Sequence, residues 1–380
     1  MKKMLYVAST FIHLKHFHLD YLGYFTRQGW EVQVLASGDP DLVPGVYRKI
    51  VLPFEKKMSS PKNFSTALKI ARLIRQERYD AIQVHTSLAA FFTRLGIQLS
   101  GYRPQLVSNT VHGYLFDDQS PALKRIVMLG AEKWMKPVTD LLMVMNQEDL
   151  EIARNNRLSR GRVIQIHGMG LELSRFPERR EEESARLRQE AGIVPEELVL
   201  LYPAEFSKRK NQIFLLEGVR KLREDGVPLR LILPGEGGLL EECREQARQW
   251  GLEGQVEFPG YTRELPRYLQ MADLAVSSSR IEGLPFNLME AMAAGLPLAA
   301  TRIKGHTDLI EPGRNGFLFD FGDLDGFCTA VRHLYEDPGL RRRMGRENRE
   351  RIQAYSLEQV LPEVVAAWEE AWHEKEGVGC

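Results

Sequence analysis

Two carboxylates, Glu282 and Glu290, lie eight positions apart and flank a turn that contains glycine and proline. A buried strand is predicted at Leu274–Ser277, so Glu282 should lie in the loop after it and Glu290 one turn into the next helix. The first turn of a helix has N–H groups without intrahelical partners and carries partial positive charge. Such a unit suits a ligand that has both a phosphate group and sugar hydroxyls.

The turn itself is predicted to bind a diphosphate, because Pro285 suits the first position of a helix and needs no hydrogen-bond partner there. The backbone N–H groups left for the ligand would be those of Leu284, Phe286 and Asn287. Glu290 could then accept two hydrogen bonds from a ribose diol, and Glu282 could hold hydroxyls of a transferred sugar. The alternative is a capping carboxylate and a solvent-facing helix residue. Gly283 and the small residues after Glu290 favour the ligand site, because they allow close packing.

The residues around this unit resemble the retaining glycosyltransferases of family 4, which have the GT-B fold. The resemblance rests on the spacing of the two glutamates, on Ala291-Met292-Ala293-Ala294-Gly295-Leu296-Pro297 after them, and on the downstream segments 305–310 and 315–318. Segments 13–19, 111–116, 146–149 and 207–212 are similar to the branch that builds bacterial capsular and exopolysaccharides. The family implies an α/β protein with two Rossmann-like, doubly wound domains facing an interdomain cleft.

The resemblance assigns a nucleotide-sugar donor to these residues. Glu290 would bind the ribose, Glu282 would hold the sugar near its 3- and 4-hydroxyls, and Lys210 matches the family's diphosphate-binding lysine. A lysine is chemically suited to this place, since the leaving nucleoside diphosphate develops negative charge. The alternative is an ordinary surface lysine in the basic run of residues 208–210.

Further donor contacts follow from the same resemblance. The family's matching histidine reaches the donor sugar near its 6-hydroxyl, which makes His112 the third residue of the predicted catalytic set. Gly235 lies in a tight turn near the nucleotide, and Tyr261 and Thr262 stand where the family's backbone usually meets the base. A histidine at a strand end is otherwise often a structural hydrogen-bond partner.

Two positions depart from the family's pattern. Members usually carry a Gly-Gly turn after the first strand, where this chain has Ser9-Thr10-Phe11-Ile12. Members also often place an arginine about five residues before the lysine, where this chain has Glu205. The missing charge would then come from Lys208, from Arg209 or from the helix N-terminus.

Three histidines, His13, His16 and His18, form a local group after the first predicted strand. Loop contacts and binding of the acceptor are the preferred interpretation, and metal binding is the alternative. Two Asp-x-Asp triplets, at residues 39–41 and 323–325, look like the metal motif of the other glycosyltransferase fold. The first lies in a loop with proline, and the second opens a helix, where aspartate is common. We therefore predict no catalytic metal and no cofactor.

The composition predicts two domains, because 380 residues are too many for one ordinary core. The net charge is zero, but residues 1–166 hold 23 Lys and Arg against 14 Asp and Glu (+9), and the remainder holds 28 against 37 (−9). A basic half indicates an anionic partner, with chance and solvated helix faces as the alternative. No recognised nucleic-acid motif accompanies the charge, so nucleic acid is not expected.

A cytoplasmic location is predicted, with peripheral attachment to the inner face of the plasma membrane as an option. The N-terminal apolar run is too short for a signal peptide, and no apolar run reaches eighteen residues. Cys243, Cys328 and Cys380 are widely spaced, which fits a reducing compartment. Segment 121–136 mixes basic and apolar residues and could lie on anionic headgroups; a core-packing helix with a wet basic side is the alternative.

Short apolar strands alternate with amphipathic helices, which predicts parallel sheets covered on both faces. The predicted strands are Met4–Ala8, Glu31–Leu35, Ala81–Val84, Leu106–Ser108, Leu141–Met145, Leu198–Tyr202, Leu229–Leu233, Val256–Phe258, Leu274–Ser277 and Leu298–Ala300. The predicted domains are an N-terminal acceptor-binding domain (1–170), a linker (171–190), a nucleotide-sugar domain (191–353), and a C-terminal helix (354–380) that packs back on the first domain.

These predictions converge on a retaining, metal-independent glycosyltransferase. It would move a sugar from a nucleoside-diphosphate sugar, preferably UDP-linked, to a hydroxyl of a lipid-linked or oligosaccharide acceptor in surface polysaccharide assembly. One alternative is a nucleotide-sugar 2-epimerase of similar fold, which would need added acid/base carboxylates and histidines. The other is a non-catalytic nucleotide-sugar-binding scaffold, which Glu205 and the absent Gly-Gly turn keep open.

Overall fold

The computed structural model describes residues 1–55, 57–117 and 119–377, so Cys380 lies outside the described residues. The chain divides into two compact units. The first comprises Met1–Gly170 together with the C-terminal segment that begins at Glu358, and the second comprises Leu171–Leu357. Each unit is built around one parallel sheet, which confirms the predicted α/β class.

The first unit contains seven strands. They are β1 (Lys3–Thr10), β2 (Glu31–Ser37), β3 (Arg48–Val51), β4 (Ala81–His85), β5 (Leu106–Val111), β6 (Leu141–Val144) and β7 (Arg162–Gln165). The helices between them are α1 (Phe11–Phe17), α2 (Leu19–Arg27), α3 (Pro61–Glu77), α4 (Ser87–Ser100), α5 (Ala122–Met135) and α6 (Gln147–Asn155). Strands β4, β5 and β6 are buried at every position, as expected when both faces of a parallel sheet are covered.

The second unit repeats this design with six strands. They are β8 (Leu198–Leu201), β9 (Leu229–Pro234), β10 (Val256–Gly260), β11 (Leu274–Ser277), β12 (Leu298–Thr301) and β13 (Gly316–Phe319). The helices are α7 (Glu181–Glu190), α8 (Gln212–Glu224), α9 (Leu240–Gln249), α10 (Leu265–Met271), α11 (Phe286–Ala294), α12 (His306–Leu309), α13 (Leu324–Glu336) and α14 (Pro338–Arg351). Helix α7 forms within the stretch that the sequence predicted as a linker.

A final helix, α15 (Leu357–Gly377), packs on the first unit. Its Trp368 is almost fully buried and meets the ring of Phe25 edge-on, with ring centroids 4.8 Å apart. The hydroxyl of Tyr24 donates a hydrogen bond to the Glu369 carboxylate at 2.6 Å. The C-terminal helix is therefore part of the core of the first unit.

The strand orders explain where functional side chains collect. The first sheet runs β3-β2-β1-β4-β5-β6-β7 and the second β10-β9-β8-β11-β12-β13. In each sheet the direction of strand addition reverses once, between β1 and β4 and between β8 and β11. Ligands of such open sheets bind beyond the carboxyl ends of the strands, at this switch point.

Three strands, β3, β7 and β13, were missed by the sequence analysis. All three lie at the edge of a sheet and are only partly buried. The predicted strands were identified by continuous apolar runs, which mark strands that are covered on both faces. Strands β3 and β7 carry charged or polar residues and lack that signal. Strand β13 is apolar, but it is only four residues long and begins with glycine.

Candidate active site

Two cations converge on one buried carboxylate at the switch point of the second sheet. Lys210 follows β8 and Glu282 follows β11, and the Lys210 Nζ donates a hydrogen bond to Glu282 Oε1 at 2.6 Å. Arg209 Nη1 donates to Glu282 Oε2 at 2.8 Å. The Glu282 side chain is 8% exposed, and that of Lys210 is 12% exposed. The cluster therefore carries a net charge of about +1 in a largely desolvated place.

This environment shifts the pKa of both partners. Burial alone would raise the pKa of Glu282, but the charges of Lys210 and Arg209 and the hydrogen bonds outweigh it, and the net shift is downward. Burial lowers the pKa of Lys210; Glu282 partly offsets this, and the neighbouring Arg209 adds to it. Glu282 is therefore an anion near neutral pH.

Buried hydroxyl groups hydrogen-bond to the cluster and to the backbone that carries it. Ser279 Oγ donates to Glu282 Oε1 at 2.7 Å, and the Tyr202 hydroxyl lies 2.7 Å from the same Ser279 oxygen. Ser278 Oγ donates to the carbonyl oxygens of Lys210 and Asn211, at 3.0 and 2.9 Å. These hydroxyl residues were not among the predicted site residues. Their signal was their position at the carboxyl end of a predicted strand.

Helix α11 begins directly after this cluster, and its N-cap residue, Pro285, makes no side-chain capping hydrogen bond. The side-chain oxygen of Asn287 accepts from the Leu288 N–H at 3.0 Å. The amide of Asn287 donates to the carbonyl oxygen of Pro203 at 3.1 Å, which joins the start of α11 to the loop after β8. The loops before α11 and α12 approach each other closely: a Cβ on Gly305, which has φ +79°, would lie 2.5 Å from the carbonyl oxygen of Gly283. The predicted turn residues Leu284 and Pro285 are buried, and Phe286 is half-buried.

Glu290 lies in the second turn of α11 and is half-buried. Within the described part of the chain, its carboxylate makes no hydrogen bond or ion pair with another side chain. Burial raises the pKa of Glu290 to about 8, and Arg175 counteracts only part of this. A half-buried acceptor that has a raised pKa and no protein partner is typical of a group that a ligand satisfies.

A cavity of about 310 Å³ lies beside the loops after β8, β9 and β10. Its lining includes Gly235, Tyr261 and Thr262, the three residues predicted near the nucleotide, together with Glu205. Gly235 is required by sterics, because a Cβ there would lie 2.0 Å from the carbonyl oxygen of Ala204. The structure thus brings these predicted residues together, and it also places the carboxylate of Glu205 in the same lining.

Four histidines form a cluster at the switch point of the first sheet. His13 and His18 follow β1, His85 ends β4, and His112 follows β5. The ring centroids of His18 and His85 are 4.2 Å apart, and those of His13 and His112 are 4.8 Å apart. The Tyr6 hydroxyl lies 2.8 Å from His18 Nδ1. His85 was missed by the sequence analysis, although it directly follows a predicted strand.

Burial keeps these imidazoles neutral. It lowers the pKa of His13 to about 4 and those of His18, His85 and His112 well below their ordinary value, and neighbouring histidines add to the effect. The Nε2 atoms of His13, His18 and His85 have no hydrogen-bond partner in the described residues. Neutral imidazoles with unused nitrogens can bind either sugar hydroxyls or a metal ion.

A metal would use His13, His18 and His112. One nitrogen from each of the three lies within 4.8 Å of the others. The nitrogens of a tetrahedral zinc site are closer, roughly 3.3 Å apart. His16, the third histidine of the predicted group, is exposed and is not one of these three ligands.

The residues in place of the Gly-Gly turn have structural roles. Thr10 caps α1, since its hydroxyl accepts a hydrogen bond from the His13 N–H at 3.1 Å. Ser9 Oγ lies 2.6 Å from the hydroxyl of Thr86, whose φ of +65° is rare for a β-branched residue. These contacts fix the start of the segment that carries His13 and His18.

Comparison with known proteins places both units in one group. Residues 183–351 match the family model "Glycosyl transferases group 1", and residues 19–169 match "Glycosyltransferase Family 4". EpsD of Bacillus subtilis (strain 168), a protein that carries the name of a glycosyltransferase, is 34% identical over 96% of this chain and 95% of its own length. An Escherichia coli protein named UDP-Gal:alpha-D-GlcNAc-diphosphoundecaprenol alpha-1,3-galactosyltransferase is 23% identical over 75% of this chain and 74% of that one.

Solved structures share the fold. Anabaena HepE, crystallised in complex with UDP-glucose, matches with a TM-score of 0.77 at 17% identity, over 97% of this chain and 100% of that one. A sucrose-phosphate synthase from Thermosynechococcus elongatus matches with a TM-score of 0.79 at 20% identity, over 98% of this chain and 100% of that one. At these identities the likeness is evidence for the fold alone.

Proposed function

Because the chain belongs to the glycosyltransferases of family 4, with the GT-B fold, we propose a specific reaction for it. It transfers a sugar, with retention of the anomeric configuration and without a metal ion, from a UDP-linked donor. The acceptor is a hydroxyl of a lipid-linked saccharide in the assembly of a surface polysaccharide. The names of two similar proteins support these choices: the E. coli relative uses UDP-galactose and a diphosphoundecaprenol-linked acceptor, and HepE is in complex with UDP-glucose.

The observation that carries the proposal is the pairing of Lys210 and Arg209 with Glu282, in the segment just before the N-terminus of α11. Two cations against one carboxylate leave a positive charge, and the helix N-terminus adds partial positive charge. A diphosphate fits this place because it supplies the missing negative charge. Glu290, farther along the same helix, then accepts hydrogen bonds from the ribose.

Catalysis in this account rests on charge and position. The nucleoside diphosphate leaves as the bond from the anomeric carbon to its phosphate oxygen breaks, and Lys210 stabilises the charge that develops on that oxygen. The acceptor hydroxyl attacks from the same face, and the departing phosphate oxygen takes its proton. Glu282 holds sugar hydroxyls, so it is not assigned the role of a nucleophile. The family is one of transferases, which argues against the 2-epimerase alternative.

The histidine cluster is proposed to serve the sugar and the acceptor. His112 keeps the contact with the donor sugar that the family implies, and His13 and His18 hydrogen-bond acceptor hydroxyls through their neutral rings. His16 is exposed, and we propose that it contacts the acceptor only at the outer margin of the histidine cluster.

An assay with a panel of nucleotide sugars and a lipid-diphosphate-linked saccharide tests the reaction. We expect sugar transfer from one UDP-sugar, a product linkage of the donor's anomeric configuration by NMR, and unchanged rates after treatment with EDTA. Loss of activity in EDTA that zinc restores would contradict the metal-free mechanism and point to the histidines. Inversion of configuration would contradict the same-face attack.

We also propose that α5 contacts an anionic membrane surface. Its Leu123 and Ile126 side chains are 74% and 68% exposed, and Val127 and Trp134 are exposed as well. The helix is held to its unit by Glu132, which accepts from Arg94 Nη2 at 2.9 Å. Exposed apolar side chains next to lysines suit a surface of anionic headgroups. No helix in the described residues is long and apolar enough to cross a membrane.

Vesicle binding tests this contact. The wild-type protein should bind vesicles rich in phosphatidylglycerol at low salt and dissociate at high salt, because screening weakens the lysine contribution. Ile126→Glu should weaken binding about tenfold or more, since it removes an apolar side chain that the membrane would bury. Tyr47→Glu, at a site that is 67% exposed outside α5, is the matched control and should bind normally. An absence of binding at low salt would refute the membrane contact.

A further inference from the structure

The second unit contains another, larger cavity of about 730 Å³. Its walls include Pro195, Asp273 and Pro297, which precede β8, β11 and β12. These three strands are neighbours in a parallel sheet, so the cavity lies at their amino ends. Lys210 and Glu282 follow the carboxyl ends of β8 and β11. The cavity and the proposed donor site therefore lie at opposite ends of these strands.

The lining of this cavity has more cations than anions. Its charged residues are Arg179, Arg188, Arg341 and Arg342 against Glu181 and Asp273. The Asp273 carboxylate is already engaged: it accepts from Arg188 Nη2 at 2.5 Å and from the Val199 N–H at 2.8 Å, and it lies 3.5 Å from Arg179 Nη2. One carboxylate thus serves two guanidinium groups and a backbone amide.

Three of the arginines, Arg179, Arg188 and Arg341, repel one another electrostatically. Burial lowers the pKa of Arg179 and that of Arg341; Asp273 offsets part of this, and Arg188 lowers both further. Partly buried like charges destabilise a fold unless an anion compensates them. Four arginines thus share the lining with two carboxylates, Glu181 and Asp273, so the lining keeps a net positive charge.

Two polar atoms of the lining also lack partners. Ser184 is 1% exposed, and its Oγ makes no hydrogen bond in the described part of the chain. The same holds for the buried Nε of Arg179. Buried donors are nearly always satisfied, and an acceptor in the cavity would reach these two after a small movement of the lining.

We propose that this cavity binds a small phosphate ester, as a second ligand site of the protein. Arg179, Arg188 and Arg341 would hold the phosphate through the N–H groups that they do not already use, because guanidinium N–H groups match phosphate oxygens. Arg188 also donates to the carbonyl oxygen of Met271, and Arg341 donates to those of Leu334 and Tyr335. Asp273 fixes the orientation of Arg188. The organic part would lie on the apolar wall, which contains Ile193, Leu296 and Pro338. The volume is in the range of small-molecule sites.

Isothermal titration of glucose 1-phosphate at low ionic strength tests the site. Binding should persist in Lys210→Met, which disables the proposed donor site, so the result does not depend on the proposed function. Arg179→Gln should weaken binding about tenfold or more, and Ser184→Ala should weaken it about threefold. If Arg179→Gln does not fold, Arg341→Gln offers a second substitution with the same expected direction, because Arg341 is also assigned to the phosphate.

The matched control is Arg186→Gln on the same helix, whose side chain pairs with Glu183 and Glu190 instead of lining the cavity. It should bind glucose 1-phosphate as the wild type does. An absence of binding to the wild type, or equal affinities for the wild type and Arg179→Gln, would overturn the site. Loss of binding in Lys210→Met would overturn it in favour of the donor site. Inorganic phosphate that binds as tightly as glucose 1-phosphate would overturn the assignment to an ester.

Discussion

Replacing Lys210 with Met is expected to lower kcat/KM for sugar transfer about 100- to 1000-fold, the size of effect seen when one stabilising group at a developing anion is removed. The Lys210 Nζ lies 2.6 Å from Oε1 of Glu282, which stands in the segment just before α11. A charge fixed in a desolvated place stabilises the leaving diphosphate without reorganisation. Most of the loss should appear in kcat, since the negative charge on the bridging oxygen develops in the transition state.

Folding must be checked for this variant, because Lys210→Met leaves Glu282 buried with one cation fewer. Lys210→Arg keeps the charge and should retain more activity than the Met variant. Lys221→Met is the control: Lys221 forms an exposed ion pair with Asp325, and such pairs contribute little. A folded Lys210→Met protein with kcat/KM within about threefold of the wild type would refute the role of Lys210.

Replacing Glu290 with Ala is expected to weaken UDP binding about 100-fold. The reason is the loss of two hydrogen bonds to a charged acceptor, each worth about 1.5 kcal/mol or more. The protein should fold at least as well, because Glu290 has no partner to lose in the described residues and its burial disfavours the charged form. Isothermal titration calorimetry measures the affinity, and an unchanged affinity would refute the ribose assignment.

The same residue predicts a pH dependence of binding. Burial raises the pKa of Glu290 to about 8, so the free protein holds a proton there at neutral pH. The ribose diol donates to the carboxylate, so binding releases that proton and must tighten as pH rises from about 7 to 9. The affinity should rise by up to tenfold per pH unit below the pKa of Glu290, and it should not depend on pH above that pKa. Glu290→Gln should bind more weakly and without this slope; a slope kept in the Gln variant would assign it to another group.

The raised pKa also fixes the sign of the effect on stability. A carboxyl whose pKa is higher in the folded than in the unfolded state makes the folded protein bind more protons between these two values. Stability therefore falls as pH rises from the ordinary pKa of glutamate toward about 8. The Gln variant should lose this part of the pH dependence.

The buried strands and the motif around Glu282 could be predicted from the sequence, because both are local. Continuous apolar runs mark β4, β5 and β6, and the Gly/Pro turn marks the start of α11. The ion pair of Lys210 and Glu282 could not, since the two residues are 72 positions apart and meet only because β8 and β11 are adjacent.

The histidine cluster shows the same limit. His13, His16 and His18 were grouped by nearness along the chain, but His85 and His112 complete the cluster in space, and His16 is exposed. Adjacency of β1, β4 and β5 in the sheet brings them together. A rule based on strand ends would have found His85, because parallel strands present their carboxyl ends at one edge.

The sequence also could not predict which side chains of α5 are exposed. The pattern of Leu123, Ile126 and Val127 is also compatible with packing in a core, which was the alternative interpretation. The structure leaves these side chains exposed, so the core-packing interpretation is wrong for this half of the helix. Which side of a helix is covered depends on its neighbours, and these are set by the whole fold.

A thermal-shift screen of nucleoside diphosphates tests most directly whether the second unit is a nucleotide-sugar donor site. A ligand at about 100 times its Kd adds about 2.7 kcal/mol to the stability of the state that it binds. UDP and one UDP-sugar should raise the Tm of the wild type by several degrees, and of Lys221→Met equally, but not of Glu290→Ala. No response of the wild type to any nucleotide, or an equal response of Glu290→Ala, would contradict the account.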